Sequence, residues 1–542
     1  MKTRKKLIAL GLMLCMLLSC AACGGPSDSR QDSPQNSQPN TSQNTQTPAP
    51  KDDAPSGNTG DLSRIVVIAQ SLDITSLDPH GHNDVQSGDV TRMLYDNLVR
   101  LDTNNEFVPM LAESWTYLDA NTVEIKLKPN VPFHDGHVLN AEDVKFSLER
   151  EMQSGFSSHL LTMITNIDVV DDLTLKLTVT DDSAALMSSL SHLCSAIVPK
   201  EYTEKLEAEG KTLSEFPCGT GPYYYDYWRV GSECQILRFA DYYDEDYKAK
   251  NEGLLFKYIA EANSRVIALE TGEVDIVLQV PSTSVSSLEA NSDIKLLRYD
   301  STDLHYISPN CSKAPFDNEL LRQAVAHCID RDAIIQVQCS GNAKPNYATI
   351  GLAAIGYSDP AVKYEYSIEK AKEKLAEAGY SDGFTFTLSV LGENNSRAAQ
   401  VVQASCAQAG ITVNIEILEN SAMVAKCGGA ESEAGLGWWV ANAEPDNTYS
   451  PWFSRSLIGA GGYNWSSYDS DEIETLMAQA LRVSDPAERQ AFYSQINDFV
   501  SEHAIVWPLY SEDGMVATRA NVDGIVLYSI VAHLYQGITI AE

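Results

Sequence analysis

The short stretch whose residue types are most able to do chemistry is Phe133-His134-Asp135-Gly136-His137. Imidazole and carboxylate groups are both ligands of Zn²⁺. Two histidines three residues apart converge on one ion most readily when a helix carries them, whereas Gly136 favours a turn. We therefore interpret the stretch as a turn before a helix, and we expect neither a metal nor a cofactor.

No motif of a catalytic or nucleotide-binding site occurs in its proper structural context. The sequence contains no G-x-x-x-x-G-K-[ST], H-E-x-x-H or G-x-G-x-x-G pattern. Its one G-x-S-x-G match, GYSDG at 379–383, follows a predicted helix and precedes a predicted strand, which is the reverse of the strand-to-helix turn of a nucleophile elbow. The ten histidines are scattered, and none shares a local motif with a Ser or Cys nucleophile. Because catalytic triads assemble from residues distant in sequence, this argues against an enzyme without disproving one.

Aromatic side chains concentrate in one part of the chain. Four of the seven tryptophans fall within 28 residues, in a window that also holds Glu444-Pro445-Asp446 and a glycine-rich stretch at 459–462. Aromatic residues on loops make rigid, amphipathic walls for a ligand. The window predicts a ligand-binding region, and the alternative is that some of its rings belong to the core. The aromatic residues are Trp438, Trp439, Tyr449, Trp452, Phe453, Tyr463, Trp465 and Tyr468.

Cysteines are the other reactive residues of the chain. An even number in an exported protein suggests disulfides. Cys218 and Cys234 flank a predicted hairpin and could face each other, whereas Cys328 and Cys406 fall in helical patterns typical of small buried hydrophobic residues. The remaining pairings stay open. The cysteines beyond the N-terminal segment are Cys194, Cys218, Cys234, Cys311, Cys328, Cys339, Cys406 and Cys427.

Alternating strand and helix patterns must position these residues. Buried apolar runs and alternation with a period of two predict strands, and apolar spacing with acidic first turns predicts helices. The predicted strands are 65–69, 123–128, 173–179, 223–228, 233–239, 274–280, 384–390 and 412–418. The predicted helices are 141–151, 318–328, 367–379, 397–409, 471–481 and 486–503. This alternation predicts α/β lobes with mixed sheets.

Length and charge narrow the class of protein. A chain of 542 residues exceeds what one hydrophobic core usually organises, so we expect two or more domains. A hydrophobic content of 44% with 21% charged residues fits a globular chain. The formal net charge of −35 repels phosphate backbones and anionic lipids. We therefore expect no nucleic-acid partner.

The N-terminus predicts export and a lipid anchor. Met1–Lys6 is basic and Leu7–Leu18 is almost unbroken in apolar character, which are the two regions of an export signal too short to span a bilayer. The following LLSCAACGG resembles the lipobox of bacterial lipoproteins. Cys23 is the favoured lipid-attachment site because small residues surround it, and Cys20 is the alternative. The predicted signal peptide covers residues 1–23.

Residues 24–60 predict a disordered tether. Gly, Pro, Ser, Gln, Asn and Thr supply 29 of these 37 residues, so no core can form. The coil dimension of such a tether is about 35 Å. Lipid, tether and an acidic globule together are typical of a cell-surface binding protein.

Several segments, in order along about 480 residues, resemble the extracellular solute-binding proteins of family 5, which are the oligopeptide, dipeptide and nickel receptors of ABC importers. The block from LAESW through FHDG to AEDV is the most specific. The segments are 77–80 (LDPH), 95–102 (YDNLVRLD), 109–115 (PMLAESW), 133–150 (FHDGHVLNAEDVKFSLER), 219–223 (GTGPY), 241–243 (DYY), 272–276 (GEVDI), 315–318 (PFDN), 321–325 (LRQAV), 376–384 (AEAGYSDGF) and 409–413 (AGITV).

The resemblance implies an α/β, two-lobed, hinged fold of the periplasmic-binding-protein type, in the large class with an extra subdomain in lobe I. By analogy, lobe I covers 61–303 with the subdomain at about 100–212, lobe II covers 304–505, and 506–542 returns to lobe I. A hinge between the lobes lets the cleft close over a ligand. The FHDG and LAESW segments are expected to be scaffold.

The resemblance also implies where a peptide would be held. In the family's peptide receptors, an Asp on the loop after a Trp pairs with the ligand's α-ammonium, and Asn442 holds that position here. An amide does not neutralise an ammonium. Glu444 or Asp446 could substitute, or the ligand lacks a free amine, or it is held in another way. The remaining candidate ligand contacts are Trp438, Trp439, Tyr463 and Arg397.

We therefore expect a lipid-anchored receptor on the outer face of the cytoplasmic membrane that captures peptides and delivers them to ABC permease and ATPase subunits. The alternative is the same architecture holding another polar solute, such as a metal complex, an opine or a glycan. A surface enzyme or a sensor is the least favoured interpretation.

Overall fold

One large sheet of mixed parallel and antiparallel strands carries part of the candidate site. The computed structural model describes residues 63–541, apart from 104, 182, 442, 460–461, 484 and 530–532. The predicted signal peptide, the tether, Cys20 and Cys23 lie outside the described residues. Within the described range, no helix has the length and apolar character needed to cross a bilayer.

The described residues form strands of two to thirteen residues. They are β1 (Val66–Gln70), β2 (Val99–Leu101), β3 (Phe107–Pro109), β4 (Ala112–Asp119), β5 (Thr122–Leu127), β6 (Ile164–Asp171), β7 (Thr174–Val179), β8 (Tyr223–Arg229), β9 (Glu233–Arg238), β10 (Gly253–Tyr258), β11 (Ile276–Leu278), β12 (Ile294–Asp300), β13 (Asp303–Pro309), β14 (Ala343–Pro345), β15 (Thr385–Leu391), β16 (Thr412–Leu418), β17 (Ala434–Val440), β18 (Trp507–Arg519), β19 (Val522–Asp523) and β20 (Thr539–Ile540).

The α-helices alternate with these strands along the chain. They are α1 (Val85–Leu94), α2 (Ala141–Glu151), α3 (Leu186–Leu190), α4 (Lys200–Ala208), α5 (Ala262–Glu270), α6 (Val285–Glu289), α7 (Glu319–His327), α8 (Arg331–Cys339), α9 (Ile368–Glu377), α10 (Ser396–Gln408), α11 (Asn420–Gly428), α12 (Asp446–Phe453), α13 (Asp471–Ala480) and α14 (Pro486–Glu502).

The largest sheet has the order β16-β15-β17-β13-β18-β11-β1-β10-β9-β8, with β12 and β14 also paired to β18. The thirteen-residue strand β18 joins its two halves, because Trp507–Tyr510 pairs with β13 and Val516–Thr518 pairs with β11. Both parallel and antiparallel pairs occur, as the predicted α/β class requires. A smaller antiparallel sheet, β4-β5-β7-β6, lies apart from it, as do the pairs β2-β3 and β19-β20.

Local sequence accounts for most of the predicted elements. Helix α2 occupies Ala141–Glu151, as predicted, because Asn140 and Asp143 form a reciprocal capping box at its first turn. Strands β5 and β7 bury every second residue. The predicted hairpin at 223–239 is confirmed as β8 and β9, with Gly231 at a φ of +78° in the turn. The other predicted elements are also present, with ends shifted by one or two residues.

The disulfide that the hairpin left open between Cys218 and Cys234 is not formed. Both residues are free thiols, and they belong to different hydrophobic clusters. Cys234 lies on β9 opposite Phe256 of β10, whereas Cys218 packs with the β4–β7 sheet. Flanking a hairpin in sequence therefore does not bring the two sulfur atoms together. Cys328 and Cys406 are fully buried in one cluster, as predicted.

Candidate ligand-binding site

A cavity of about 740 Å³, here called the main cavity, is lined by two kinds of surface. We define its polar wall by the charged and titratable lining residues Asp84, Arg92, Asp96, Arg100, His159 and His192. We define its aromatic wall by Trp439, Val440, Pro451 and Tyr463.

The aromatic wall is held by the last residues of β17. Trp439 pairs in register with Leu304 of β13, and its indole Nε1 donates a hydrogen bond to Thr448 Oγ1 at 3.1 Å. Its ring meets Tyr463 edge-on, with centroids 5.0 Å apart. Gly437 leaves room for the neighbouring Trp465 ring, because a Cβ there would lie 2.8 Å from that ring. The Trp439 ring is therefore held in place by contacts within the protein.

Two further cavities adjoin the aromatic wall. One of about 520 Å³ shares Trp439, Val440 and Tyr463 with the main cavity, and another of about 480 Å³ shares Trp438 and Val440 with the 520 Å³ cavity. The three cavities therefore follow one another along the end of β17. A ligand longer than the main cavity would have space to extend in this direction.

The end of β17 also leaves a strand edge beside these cavities. Strand β13 pairs with all of Ala434–Val440, whereas β15 pairs only with Ala434–Leu436. Among the described residues, no strand pairs with Gly437–Val440 on that second side. Trp438 and Val440 are 50% and 40% exposed. Backbone groups on such an edge are available to an extended chain.

The acidic groups of the polar wall are occupied by donors of the protein itself. Asp84 caps helix α1 by accepting from the Ser87 N–H at 2.8 Å, and its other oxygen accepts from the Thr75 hydroxyl at 2.6 Å. Asp96 is buried and accepts from Thr220 at 3.1 Å and from Tyr242 at 3.3 Å. Burial raises the pKa of Asp96 to about 7.

The arginines of the polar wall have no such acceptors among the described residues. Nη1 of Arg92 and Nε of Arg100 are buried without a hydrogen-bond partner. Burial lowers the pKa of Arg92. The Arg100 guanidinium lies over the Tyr247 ring, 3.5 Å from its centroid. One nitrogen of each arginine is thus unpartnered, although the charges of Asp89 and Asp96 act on Arg92 and Arg100 from beyond ion-pair distance.

His192 completes the polar wall as a neutral group. Burial is the main cause that lowers the pKa of His192 to about 3, and the charge of Arg92 acts in the same direction. Nδ1 of His192 accepts from the Cys194 N–H at 3.3 Å.

The segments that carried the family resemblance form the frame behind the polar wall. A Cβ at Gly219 or Gly221 would lie within 2.5 Å of the backbone carbonyl oxygen of Leu94 or Met93, so only glycine allows this approach. His134 bonds Gly221 O through Nε2 at 3.0 Å and accepts from the Gly219 N–H at 3.2 Å. The FHDG turn therefore fixes the 219–223 segment, which agrees with its interpretation as scaffold.

A second link ties the first segment to helix α2. Arg150 donates to both carboxylate oxygens of Asp78, at 2.9 and 2.6 Å. This bidentate pair holds the 77–80 segment.

The acidic candidates of the 438–446 region are engaged within the protein. Glu444 is buried and forms a bidentate ion pair with Arg489, with Nη2 to Oε1 at 2.5 Å and Nη1 to Oε2 at 3.2 Å. Asp446 accepts from the Ser450 hydroxyl at 2.8 Å. Of the described residues in this region, those that line the main cavity are Trp439, Val440, Ala441 and Ala443. The geometry thus favours a structural role for Glu444.

The other predicted contacts are spread over the molecule. Trp439 and Tyr463 line the main cavity together, and Trp438 lines the two smaller ones. Arg397 is exposed on α10, where it donates to Gln338 O at 3.4 Å. Asn442 lies outside the described residues.

Sequence reasoning missed the whole polar wall. Arg92, Asp96 and Arg100 stand in or beside the YDNLVRLD segment, which provided the family resemblance but no ligand prediction. Their approach to the cavity depends on long-range packing. The sequence offered one weak signal for this wall, which is that Arg92 and Arg100 lie close together in a strongly acidic chain.

Comparisons with known proteins agree with this architecture. The chain is 30% identical over 472 residues to the glutathione-binding protein GsiB of Escherichia coli K12, covering 85% of this chain and 91% of that protein. HbpA2 from Haemophilus parasuis superposes with a TM-score of 0.81 at 27% identity, covering 88% of this chain and all of that one. DppA from Helicobacter pylori, in complex with the peptide STSA, gives a TM-score of 0.74 at 29% identity, covering 89% and 99%.

The fold and the cavity therefore define a two-lobed periplasmic binding protein of mixed α/β class. The model of the bacterial extracellular solute-binding proteins, family 5, matches residues 106–460, and the chain belongs to this family. It is thus a solute-binding protein of the kind that serves ABC importers.

Proposed function

We propose that this protein captures small peptides in the main cavity and delivers them to an ABC permease and its ATPase. The observation that carries the proposal is the strand edge at Gly437–Val440, which runs beside three consecutive cavities. An extended peptide can pair with such an edge through its main chain, while roomy pockets accept varied side chains. The peptide and glutathione ligands in the names of the relatives support this choice.

Capture would occur by closure of two lobes about a hinge. The proposed lobes are 61–303 and 304–505, with 506–542 returning to the first. The backbone of β18 and the short link from Asp300 to Asp303 would form the hinge. The Ala184 N–H donates to Leu481 O at 3.0 Å, and opening would break this contact between the proposed lobes.

A lipid on Cys23 would keep the protein at the outer face of the cytoplasmic membrane, with residues 24–60 as the tether. Incorporation of labelled palmitate in cells tests this proposal. We expect Cys23→Ala to abolish labelling and Cys20→Ala to preserve it. The reverse result would assign the anchor to Cys20. If neither the wild type nor either variant incorporates label, the proposal of a lipid anchor fails.

A thermal-shift screen of the purified protein with di- to hexapeptides tests the ligand class. We expect the melting temperature to rise with a subset of peptides, because a ligand that binds only the folded state stabilises it by mass action. If no peptide raises it, the assignment to peptides fails. A non-peptide polar solute is the second candidate, since Asn442 stands where the family's peptide receptors carry an acid.

A further inference from the structure

The main cavity is lined by an arginine that forms no ion pair with another described residue. Arg92 lies on α1 and lines the cavity, and its Nη1 is buried without an acceptor among the described residues. A buried guanidinium without a partner is costly, so its retention calls for a reason. We propose that Arg92 binds a carboxylate of the transported solute. This inference rests on the proposed function, because it takes the main cavity as the place where the solute is held.

Asp89 is the carboxylate whose charge acts on Arg92, but it forms no ion pair with it. Asp89 is buried and accepts from the Tyr535 hydroxyl at 3.0 Å. Burial raises the pKa of Asp89 to about 7 even though the charge of Arg92 lowers it. Asp84 is held by the α1 N-terminus and Thr75. Among the described residues, no carboxylate oxygen lies within ion-pair distance of Arg92.

Gly88 leaves room for the guanidinium of Arg92. Gly88 precedes Arg92 by one helical turn, so the two residues share a face of α1. A Cβ at Gly88 would lie 3.3 Å from both Arg92 Nη1 and Leu193 Cδ2. The Arg92 side chain thus folds back over a residue without a side chain and lies next to the segment that follows α3.

Helix α3 adds neutral donors to the same cavity. Ser188 and Ser189 of α3 line the main cavity. One guanidinium and two hydroxyls provide donors of the kind that a carboxylate accepts. On a chain with a net charge of −35, such a site selects an anionic group against the overall field.

Peptides offer a carboxylate from two sources, the C-terminus and an acidic side chain. Calorimetric titrations of the mature chain with Ala-Ala-Ala and its C-terminal amide test the first source. Titrations with Ala-Glu-Ala amide and Ala-Gln-Ala amide test the second. Glucuronic acid and glucuronamide provide a matched pair outside the peptide class. The same six probes are titrated into Arg92→Met, Arg92→Lys and the control Arg229→Met, whose side chain is 67% exposed and paired with Glu233.

We expect the wild type to bind the acid of at least one pair about 30-fold or more tightly than its amide. Arg92→Met should weaken binding of the acid alone and so bring the affinity ratio close to one. Arg92→Lys should give an intermediate ratio. The control Arg229→Met should give the wild-type ratio. The melting temperature of ligand-free Arg92→Met should equal or exceed that of the wild type, because a buried unpaired charge is removed.

The outcomes separate this inference from the proposed function. Peptides that bind without preference for the acid, or with the same preference in Arg92→Met, overturn the inference and leave the peptide receptor intact. Glucuronic acid bound through Arg92 without any peptide binding overturns the peptide receptor and supports the inference. Binding of no acid at all overturns both.

Discussion

The two walls of the main cavity differ in how the chain builds them. The aromatic wall comes from one stretch, 439–463, whose two ends meet where the Trp439 ring contacts Tyr463. The polar wall gathers Asp84, Arg92, Asp96 and Arg100 from around α1 with His159 and His192 from further along the chain. A wall made by one segment leaves a compositional signal, whereas a wall gathered from several segments leaves almost none.

The walls also differ in what they offer a solute. The aromatic wall supplies rigid apolar surface and a strand edge, which suit many ligands equally. The polar wall holds a guanidinium nitrogen without an acceptor among the described residues, which would discriminate between ligands. Affinity and specificity would therefore come largely from different walls of the cavity.

The ion pair behind the aromatic wall should matter most for stability. Glu444→Gln leaves Arg489 with a buried charge that its partner no longer neutralises. We expect the free energy of unfolding in urea to fall by about 3–5 kcal/mol. The control Glu245→Gln removes an exposed ion pair with Lys248 and should cost less than about 1 kcal/mol. Loss of ligand affinity at unchanged stability would instead assign Glu444 to the ligand.

The buried acid of the polar wall should make stability depend on pH. The pKa of Asp96 is about 7 in the folded state, above its ordinary value of 3.8. At pH values between these two, the folded state therefore binds more protons than the unfolded state. Stability should therefore fall as pH rises through this window. Asp96→Asn should reduce the loss between pH 5 and pH 8 by roughly 2–3 kcal/mol in urea unfolding. An unchanged pH profile would show that Asp96 is ionised throughout.

Trp439 should carry most of the binding contribution of the aromatic wall. Trp439→Ala removes the ring that faces the main cavity and meets Tyr463, and we expect ligand affinity to fall about 10- to 100-fold in calorimetry. Trp439→Phe should recover part of this loss. Similar affinity for the alanine variant and the wild type would move the ligand away from this wall.

Substitution of Trp438 should have the smallest effect on ligand affinity. It tests whether the two smaller cavities extend the binding site. This ring is half exposed and lines only the two smaller cavities. Trp438→Ala should leave dipeptide affinity within about threefold of the wild type but weaken longer peptides more. An equal loss for short and long peptides would show that the smaller cavities do not extend the site.

Local patterns predicted the secondary structure well because local interactions set it. The capping box of α2, the alternation of β5 and β7 and the turn at Gly231 each need only a few consecutive residues. The possible disulfide between Cys218 and Cys234 rested on a local argument, and it does not form because the two residues pack into separate clusters.

The candidate site was predictable only in part. Trp439 and Tyr463 line the main cavity, and their local density gave the signal. Glu444 is a candidate ligand contact in the sequence because it lies on the segment that follows Trp439. Its partner Arg489 lies 45 residues away in sequence. Whether a charged residue is paired depends on residues that no local pattern identifies.

The sequence by itself determined the family, the α/β elements and the aromatic stretch, since each is a matter of residue order or of neighbours within a few positions. Only the tertiary structure decided which charges are neutralised and which face a cavity. Electrostatic pairing acts through space, so Asp96 finds donors in distant segments while Nη1 of Arg92, on the same wall, finds no acceptor among the described residues.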